Sequence, residues 1–410
     1  MPTPITPQSL KFWFEGIGEK NFVIVQRDSD PDETELASLP AGYTWFNKAT
    51  NKLMSWNGTS SNRVGQPGLV QSPVIGPNEY RGPAHGLGGT MQFYGAVLDM
   101  TGRAIMIPYK AANIGIYNPA THAFSLGAAH GKGADAFLGG CRHGKYVVFA
   151  PANSPEVGRY DSGTEAFTVT AAHGAGVGYA YYNGTAVGDE VIFAPGGSAT
   201  IGRYNPETNV FTAGVATGFG LNAYAYSSCC TMQDGRVFLC PGLSPTIQIY
   251  DPVSNTIEVG PAHNQPLSAF AFAGCVTLPN GKILMIPHGS ASNKMYRFFL
   301  YNPETGKVET GPLHGETPNS PFWGGVLLST GKVLCLSFGA AYSVLYDWQS
   351  DTVSRAFAPP IAQAWNGGCL TPSGRVVLAP LNHSRVNIYD TVAEVPRTVA
   401  LDPVNAGGSY

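Results

Sequence analysis

A Tyr followed by Asn or Asp recurs seven times in this 410-residue chain, at Tyr117, Tyr160, Tyr204, Tyr250, Tyr301, Tyr346 and Tyr389. Successive copies stand 43 to 51 residues apart. Such a period constrains a fold strongly, because each copy must be one supersecondary unit that buries its faces only against its neighbours. Other positions keep the same register. A Pro usually lies nine residues before the Tyr, at Pro108, Pro151, Pro195, Pro241 and Pro380. The fifth copy has Pro287 further upstream, which implies an insertion around Ser290-Ala291-Ser292, and the sixth has Ser337 instead. A Gly precedes that position in every copy: Gly102, Gly144, Gly188, Gly235, Gly281, Gly331 and Gly374. An aromatic lies about fifteen residues ahead of it: Phe93, Phe137, Tyr179, Tyr226, Phe272, Phe322 and Trp365.

Each unit reads as four strands. In the fifth, SAFAFAGCVTL is a first strand and Pro279-Asn280-Gly281 a tight turn, with Asn-Gly supplying the positive φ of a two-residue hairpin. KILMIP is an apolar second strand, buried on both faces. MYRFFLY is a third, and KVETG a fourth of mixed polarity suited to an outer edge. The predicted fold is all-β: a seven-bladed β-propeller of four-stranded antiparallel blades over 80–395. A small β-rich module with a linker fills 1–79, and a tail fills 396–410. Gly pairs such as Gly139-Gly140, Gly324-Gly325 and Gly367-Gly368 belong on inner strands, which crowd the axis. YRGPAHG at 80–86 resembles EVGPAHN at 258–264, which ends a fourth strand. Tyr80–Gly82 can therefore supply the outer strand of the last blade. Thr391–Leu401 is the rival source.

The segments YNPETNVF (Tyr204 to Phe211), YDPVSNTIEV (Tyr250 to Val259) and LPNGKILMI (Leu278 to Ile286) resemble the kelch and galactose-oxidase-like propeller family. Kelch units usually end the second strand with a Gly pair, where this chain has Ala-Pro or Ile-Pro. The resemblance is architectural, and no kelch partner or enzyme activity is carried over.

Composition agrees. The chain holds 51 Gly and 32 Pro, with only 12% charged residues but 43% hydrophobic ones. Disorder needs the reverse balance. A net charge of −3 without a basic patch argues against nucleic acid and anionic membranes. No run approaches the length of a membrane span, and the N-terminus lacks the pattern of a secretory signal. Seven Cys, an odd number with no C-x-x-C, fit a reducing compartment better than a disulfide scaffold.

Residues 1–79 stand outside the repeat. SLKFWF and NFVIVQ read as strands, and GYTWFNKATNKLMSWNGTS as a hairpin with its turn at Asn47–Asn51. Thr44, Trp45, Phe46, Thr50, Lys52, Leu53, Trp56, Gly58 and Thr59 resemble a short Trp-rich hairpin common in bacteriophage tail and fibre proteins. The resemblance implies a virion protein of the tail tip or fibre, assembled in the bacterial cytoplasm in many copies. Its N-terminal module would contact other virion proteins, and its propeller a host-surface glycan or protein, or the baseplate.

His85, His130, His173, His263 and His314 recur at the exit from a fourth strand, with Thr217 and Pro359-Pro360 in the other two units. They read either as a ring of imidazoles for a metal or acidic ligand, or as loop residues that hydrogen-bond the neighbouring blade's backbone. The second is preferred, since a repeated position usually has a repeated packing role. The aromatics from Phe93 to Trp365 read either as a sugar-stacking ring or as wedges between blades, and wedges are preferred for the same reason. Asp28, Asp30, Asp32 and Glu33 lack the spacing of a calcium loop and read as a solvated turn before a short helix at Glu33–Ser38. Asp135 and Asp189-Glu190 read as turn residues. Hydrolase, metalloprotease, nucleotide and sialidase motifs are missing, so no catalytic residue, metal or cofactor is expected. Specificity should lie where the repeat breaks. The first candidate is the insertion, with Ser290, Ser292, Asn293 and Lys294, and the loop Gly315–Ser320 comes next. A purely architectural capsid fibre, decoration or connector, and a polysaccharide-acting or galactose-oxidase-like enzyme, are the alternatives.

Overall fold

The computed structural model describes the backbone of 8–14, 18–27, 44–47 and 52–55, and residues 79–391 apart from 171, 268–269, 290–294 and 317–318. The chain divides into two compact units, one of them spanning 72–397 and the other holding the first 71 residues. In the smaller unit Gln8–Phe14 pairs antiparallel with Gly18–Arg27. Thr44–Asn47 and Lys52–Ser55 form the expected antiparallel hairpin, and the former runs parallel to Gly18–Arg27. The acidic stretch, its helix and the C-terminal tail lie outside the described residues.

Among the described residues every regular element is a strand. The larger unit consists of seven four-stranded antiparallel sheets, one per repeat, as expected. Blade 5 runs Phe272–Thr277, Ile283–Pro287, Arg297–Asn302 and Lys307–Leu313. Its second strand is buried at every residue, as are those at Ala104–Pro108, Val237–Pro241 and Val333–Ser337. Each lies between two strands of its own sheet and under the faces of adjacent blades, so it reads as a continuous apolar run. The fourth strands Ala123–Ala129, Val210–Ala216 and Thr256–Ala262 are exposed or half-buried at every residue. That division explains how 12% charge suffices for the whole chain.

Seven blades close into a ring without a covalent link. The last blade takes Trp365–Leu370, Arg375–Pro380 and Arg385–Asp390 from one end of the repeat and Glu79–Ala84 from the other. Ile388 faces Tyr80 and Arg385 faces Ala84 across this antiparallel clasp. The clasp decides between the two closures the sequence allows.

The aromatic wedges pack between blades. Phe93 is fully buried with Val377 and Ala379 of blade 7, and Phe137 with Ile105, Ile107 and Ile114 of blade 1. In blade 3 the wedge is Tyr181, not Tyr179: Tyr181 is 1% exposed and packs on Phe193, whereas Tyr179 is half-buried with φ 50°. A Tyr two residues ahead of the strand Tyr181–Val187 made the register ambiguous by a pair of residues. No wedge leaves a face open for a sugar.

Each first strand bulges just after its wedge, between Phe93 and Ala96 in blade 1 and Trp365 and Gly368 in blade 7. The bulge residue is Gly95, Gly139, Gly274, Gly324 or Gly367 in five blades, all at positive φ. A Cβ on Gly367 would stand 2.9 Å from the Gly95 Cα of the next blade, and one on Gly274 3.1 Å from the Gly324 Cα. Backbone meets backbone around the axis, as the Gly pairs suggested.

Candidate functional site

The recurring His side chains are fully committed to structure. Nε2 of His130 bonds the Ala111 carbonyl at 2.8 Å, that of His173 the Ser154 carbonyl at 3.0 Å and that of His263 the Ser244 carbonyl at 2.7 Å. In each, Nδ1 accepts a backbone N–H two residues on, from Lys132, Ala175 and Gln265. His85 and His314 repeat both bonds. An accepting Nδ1 requires the neutral tautomer that donates from Nε2. The carbonyl belongs to the blade just completed, not to its neighbour. The ring itself packs edge-on against the next blade's wedge, 5.5 Å from Phe137 for His130 and 5.1 Å from Phe322 for His314. Thr217 does the same at the exit from blade 3, donating to the Ala199 carbonyl at 3.2 Å and accepting from the Phe219 N–H. No nitrogen is left for a metal. Among the described residues no group of three His, Cys, Asp or Glu side chains is placed to hold one.

The remaining candidates divide. Glu190 pairs with Arg203 at 2.6 Å, a structural bridge. The thiols of Cys335 and Cys369 are driven up by burial, the latter to about 12, so they are inert packing groups. Ser290, Ser292, Asn293 and Lys294 lie outside the described residues. Their loop joins Ile283–Pro287 to Arg297–Asn302, and Gly289, just ahead of them, accepts a hydrogen bond from Ser320 Oγ at 3.0 Å. Gly289 and Ser320 thus meet at one end of blade 5.

At that end lies a feature that the repeat pattern concealed. Two residues before each wedge stand Met91, Asp135, Tyr179, Tyr224, Phe270, Ser320 and Gln363. Six of them have φ between 46° and 59° although none is Gly. Such a conformation is uncommon outside Gly and clusters at functional sites. The carbonyl of each accepts an N–H from the loop after the second strand: Met91 from Lys110, Asp135 from Asn153, Tyr179 from Gly197, Tyr224 from Leu243 and Phe270 from Gly289. The backbone is therefore fixed in register while the side chain is free to differ from blade to blade.

The residue after each wedge also differs: Tyr94, Leu138, Tyr182, Ser227, Ala273, Trp323 and Asn366. These side chains converge on the mouth of the axial channel. Tyr94 and Trp323, on blades 1 and 6, meet at 5.7 Å across the smaller Asn366 of blade 7. Tyr182 and Phe270, on blades 3 and 5, meet at 5.9 Å across the smaller Ser227 of blade 4. Phe270 in turn touches Trp323 at 6.3 Å, which joins the two halves. Trp323 also contacts Phe338 and His288, at 5.3 and 4.9 Å. Tyr179 and Tyr109 share a hydroxyl hydrogen bond of 2.8 Å. Burial raises the pKa of the Tyr94, Tyr109 and Tyr182 hydroxyls, and lowers His288 to about 4, so all are neutral near pH 7. Gly196 makes room for this cluster: a Cβ there would lie 2.3 Å from the Tyr182 ring.

Beneath these rings the channel holds a cavity of about 160 Å³. Its lining combines Tyr94 and Trp323 with Asn183, Ser227, Ser228, Asn366 and the bulge glycines, and no charged side chain. Asn366 is 2% exposed and Ser227 6%. Ser227 Oγ nonetheless has no hydrogen-bond partner, while the Asn366 amide leans on the Tyr94 hydroxyl.

Such an architecture defines a seven-bladed propeller with an aromatic axial mouth. Among solved structures the chain is similar to virginiamycin B lyase from Staphylococcus aureus, at 12% identity and TM-score 0.62, covering 77% of this chain and 98% of that one. It is also similar to the extracellular domain of a one-component system from B. thetaiotaomicron, at 11% identity and TM-score 0.56, covering 75% of this chain and 40% of that one. YCF48 bound to D1 peptide matches at 11% identity and TM-score 0.56, covering 78% and 96%. Identities this low establish the shared fold alone. No protein-family model matches the chain, and no curated protein does.

Proposed function

We propose that this chain is a bacteriophage virion protein of the tail tip or tail fibre that displays its propeller as a host-surface binding domain. One observation carries the binding reading: the mouth of the ring keeps a sevenfold backbone frame but fills it with seven different sets of side chains. Shared positions serve the scaffold, and positions that vary within a fixed frame serve recognition. The virion reading rests on the Trp-rich hairpin pattern at Thr44–Thr59, whose paired strands are Thr44–Asn47 and Lys52–Ser55. In this reading residues 1–79 contact other virion proteins, and many copies on one particle add avidity to a weak single site.

Two measurements test it. Antibodies against the chain should label one end of phage particles released by the cell that encodes it, in immuno-electron microscopy. The full chain, fluorescently labelled, should adsorb to intact bacteria of a susceptible strain, and Trp323→Ala should reduce adsorption at least tenfold. Label on particles with no adsorption to cells would favour the architectural alternative. Depolymerisation of host polysaccharide by the chain would favour an enzyme.

A further inference from the structure

We infer that the axial cavity and its aromatic rim form a pocket for the terminal ring of an uncharged saccharide. The inference deepens the host-surface reading and rests on it. Four observations converge. Ser227 Oγ is buried and without a partner on the cavity wall, and the Asn366 amide on the same wall has only the Tyr94 hydroxyl beside it. Buried polar groups are nearly always hydrogen-bonded, so each such exception calls for a partner. A ligand bearing several hydroxyls can satisfy an amide donor and a hydroxyl together. Second, Tyr94 and Trp323 line the same cavity. Aromatic faces are electron-rich and pack favourably on the C–H face of a pyranose. A mostly apolar pocket with a few convergent polar groups is the usual form of a small-ligand site.

Third, the cavity wall carries no charged side chain. A phosphate, a sialic acid or a protonated amine would be desolvated there without a counter-charge. Fourth, the wall is a closed ring of seven first strands, with adjacent backbones in contact at Gly367 and Gly95. A closed ring admits the end of a chain but not a segment running through. That geometry favours a terminal sugar over an extended Pro-rich peptide, which needs an open groove.

The orphaned Ser227 hydroxyl provides a test that separates binding from folding. Saturation-transfer NMR would be run on the full chain with free glucose, galactose, N-acetylglucosamine and rhamnose as probes. At least one should receive saturation, and the double variant Asn366→Ala, Ser227→Ala should weaken it tenfold or more. The single variant Ser227→Ala should melt no lower than the parent, because it removes a hydroxyl that has no partner. Trp323→Phe should retain part of the binding. Saturation of none of the four sugars would overturn the inference, and so would transfer unchanged in the double variant. Preference for N-acetylneuraminic acid or for a Pro-rich peptide would overturn it too. Adsorption to cells without binding of any sugar removes the saccharide inference and leaves the host-surface reading. Sugar binding without adsorption does the reverse.

Discussion

At five of the seven blade junctions a single imidazole does three tasks. It donates to the blade behind, accepts from its own loop and packs on the wedge ahead. Burial lowers the pKa of His85, His173, His263 and His314, and takes His288 to about 4. The unfolded chain, with His near pKa ~6.5, therefore binds more protons than the folded one below that pH. Stability from these groups is complete above pH ~6.5 and is lost as pH falls toward their folded pKa values. Lys145 beside Asp161, and Lys282 beside Glu309, hold those carboxyls below their usual range, so their contribution fades only in stronger acid. Thermal melts across pH should be flat from 8 to 7 and decline from about 6.5 downward. His263→Ala should cost about 2–3 kcal/mol, for two buried hydrogen bonds and a ring contact, and should make the decline shallower. A chelator should leave the melting temperature unchanged; a drop would revive the metal reading. The recurrence of these His residues was plain in the sequence. Which carbonyl each one holds was not, because that depends on how the loop folds back on its own blade.

At the scale of the strand, two glycine positions behave differently. Gly102 has φ 85° in a turn where a Cβ would meet nothing within 4 Å. Gly367 has φ 65° and would place its Cβ against the backbone of the adjacent blade. Gly102→Ala should cost about 1–2 kcal/mol, the left-handed penalty alone. Gly367→Ala should cost a further ~1–3 kcal/mol, because the neighbour is backbone and cannot rotate away. Denaturant unfolding of the two variants measures the difference, and equal losses would mean that the axis is not crowded. Both positions were legible as Gly in register. The mouth was not, since aligning repeats selects what is shared, and Met91, Asp135, Tyr179 and Tyr224 share only a backbone angle. A trace of it was present: Tyr179 and Tyr181 compete for one place because the mouth and the wedge are two residues apart.

The molecule as a whole depends on six residues far from the rest of the last blade. Without Glu79–Ala84, Arg385–Asp390 becomes an unpaired edge, and the loop bond from His85 to the His383 carbonyl is lost. Deleting residues 79–84 should lower the melting temperature by roughly 10 °C, corresponding to several kcal/mol in a domain of this size. A synthetic peptide spanning 79–88 should restore part of it. An unchanged melt would show that the ring is held by blade stacking alone. The length and spacing of the repeat announced seven blades, and the GPAH segment before the first of them hinted at this closure. The same clasp dictates an order of events on the ribosome. Its partners are separated by 298 residues, from His85 to His383. At ~5–20 residues per second, the first strand to emerge waits roughly 15–60 s for the last. During that interval the growing fan exposes its open first and last blades, and exposed strand edges template aggregation. The most dangerous moment for this protein therefore comes before it is finished. Its yield in a cell should follow translation speed and chaperone supply more closely than the stability of the closed ring.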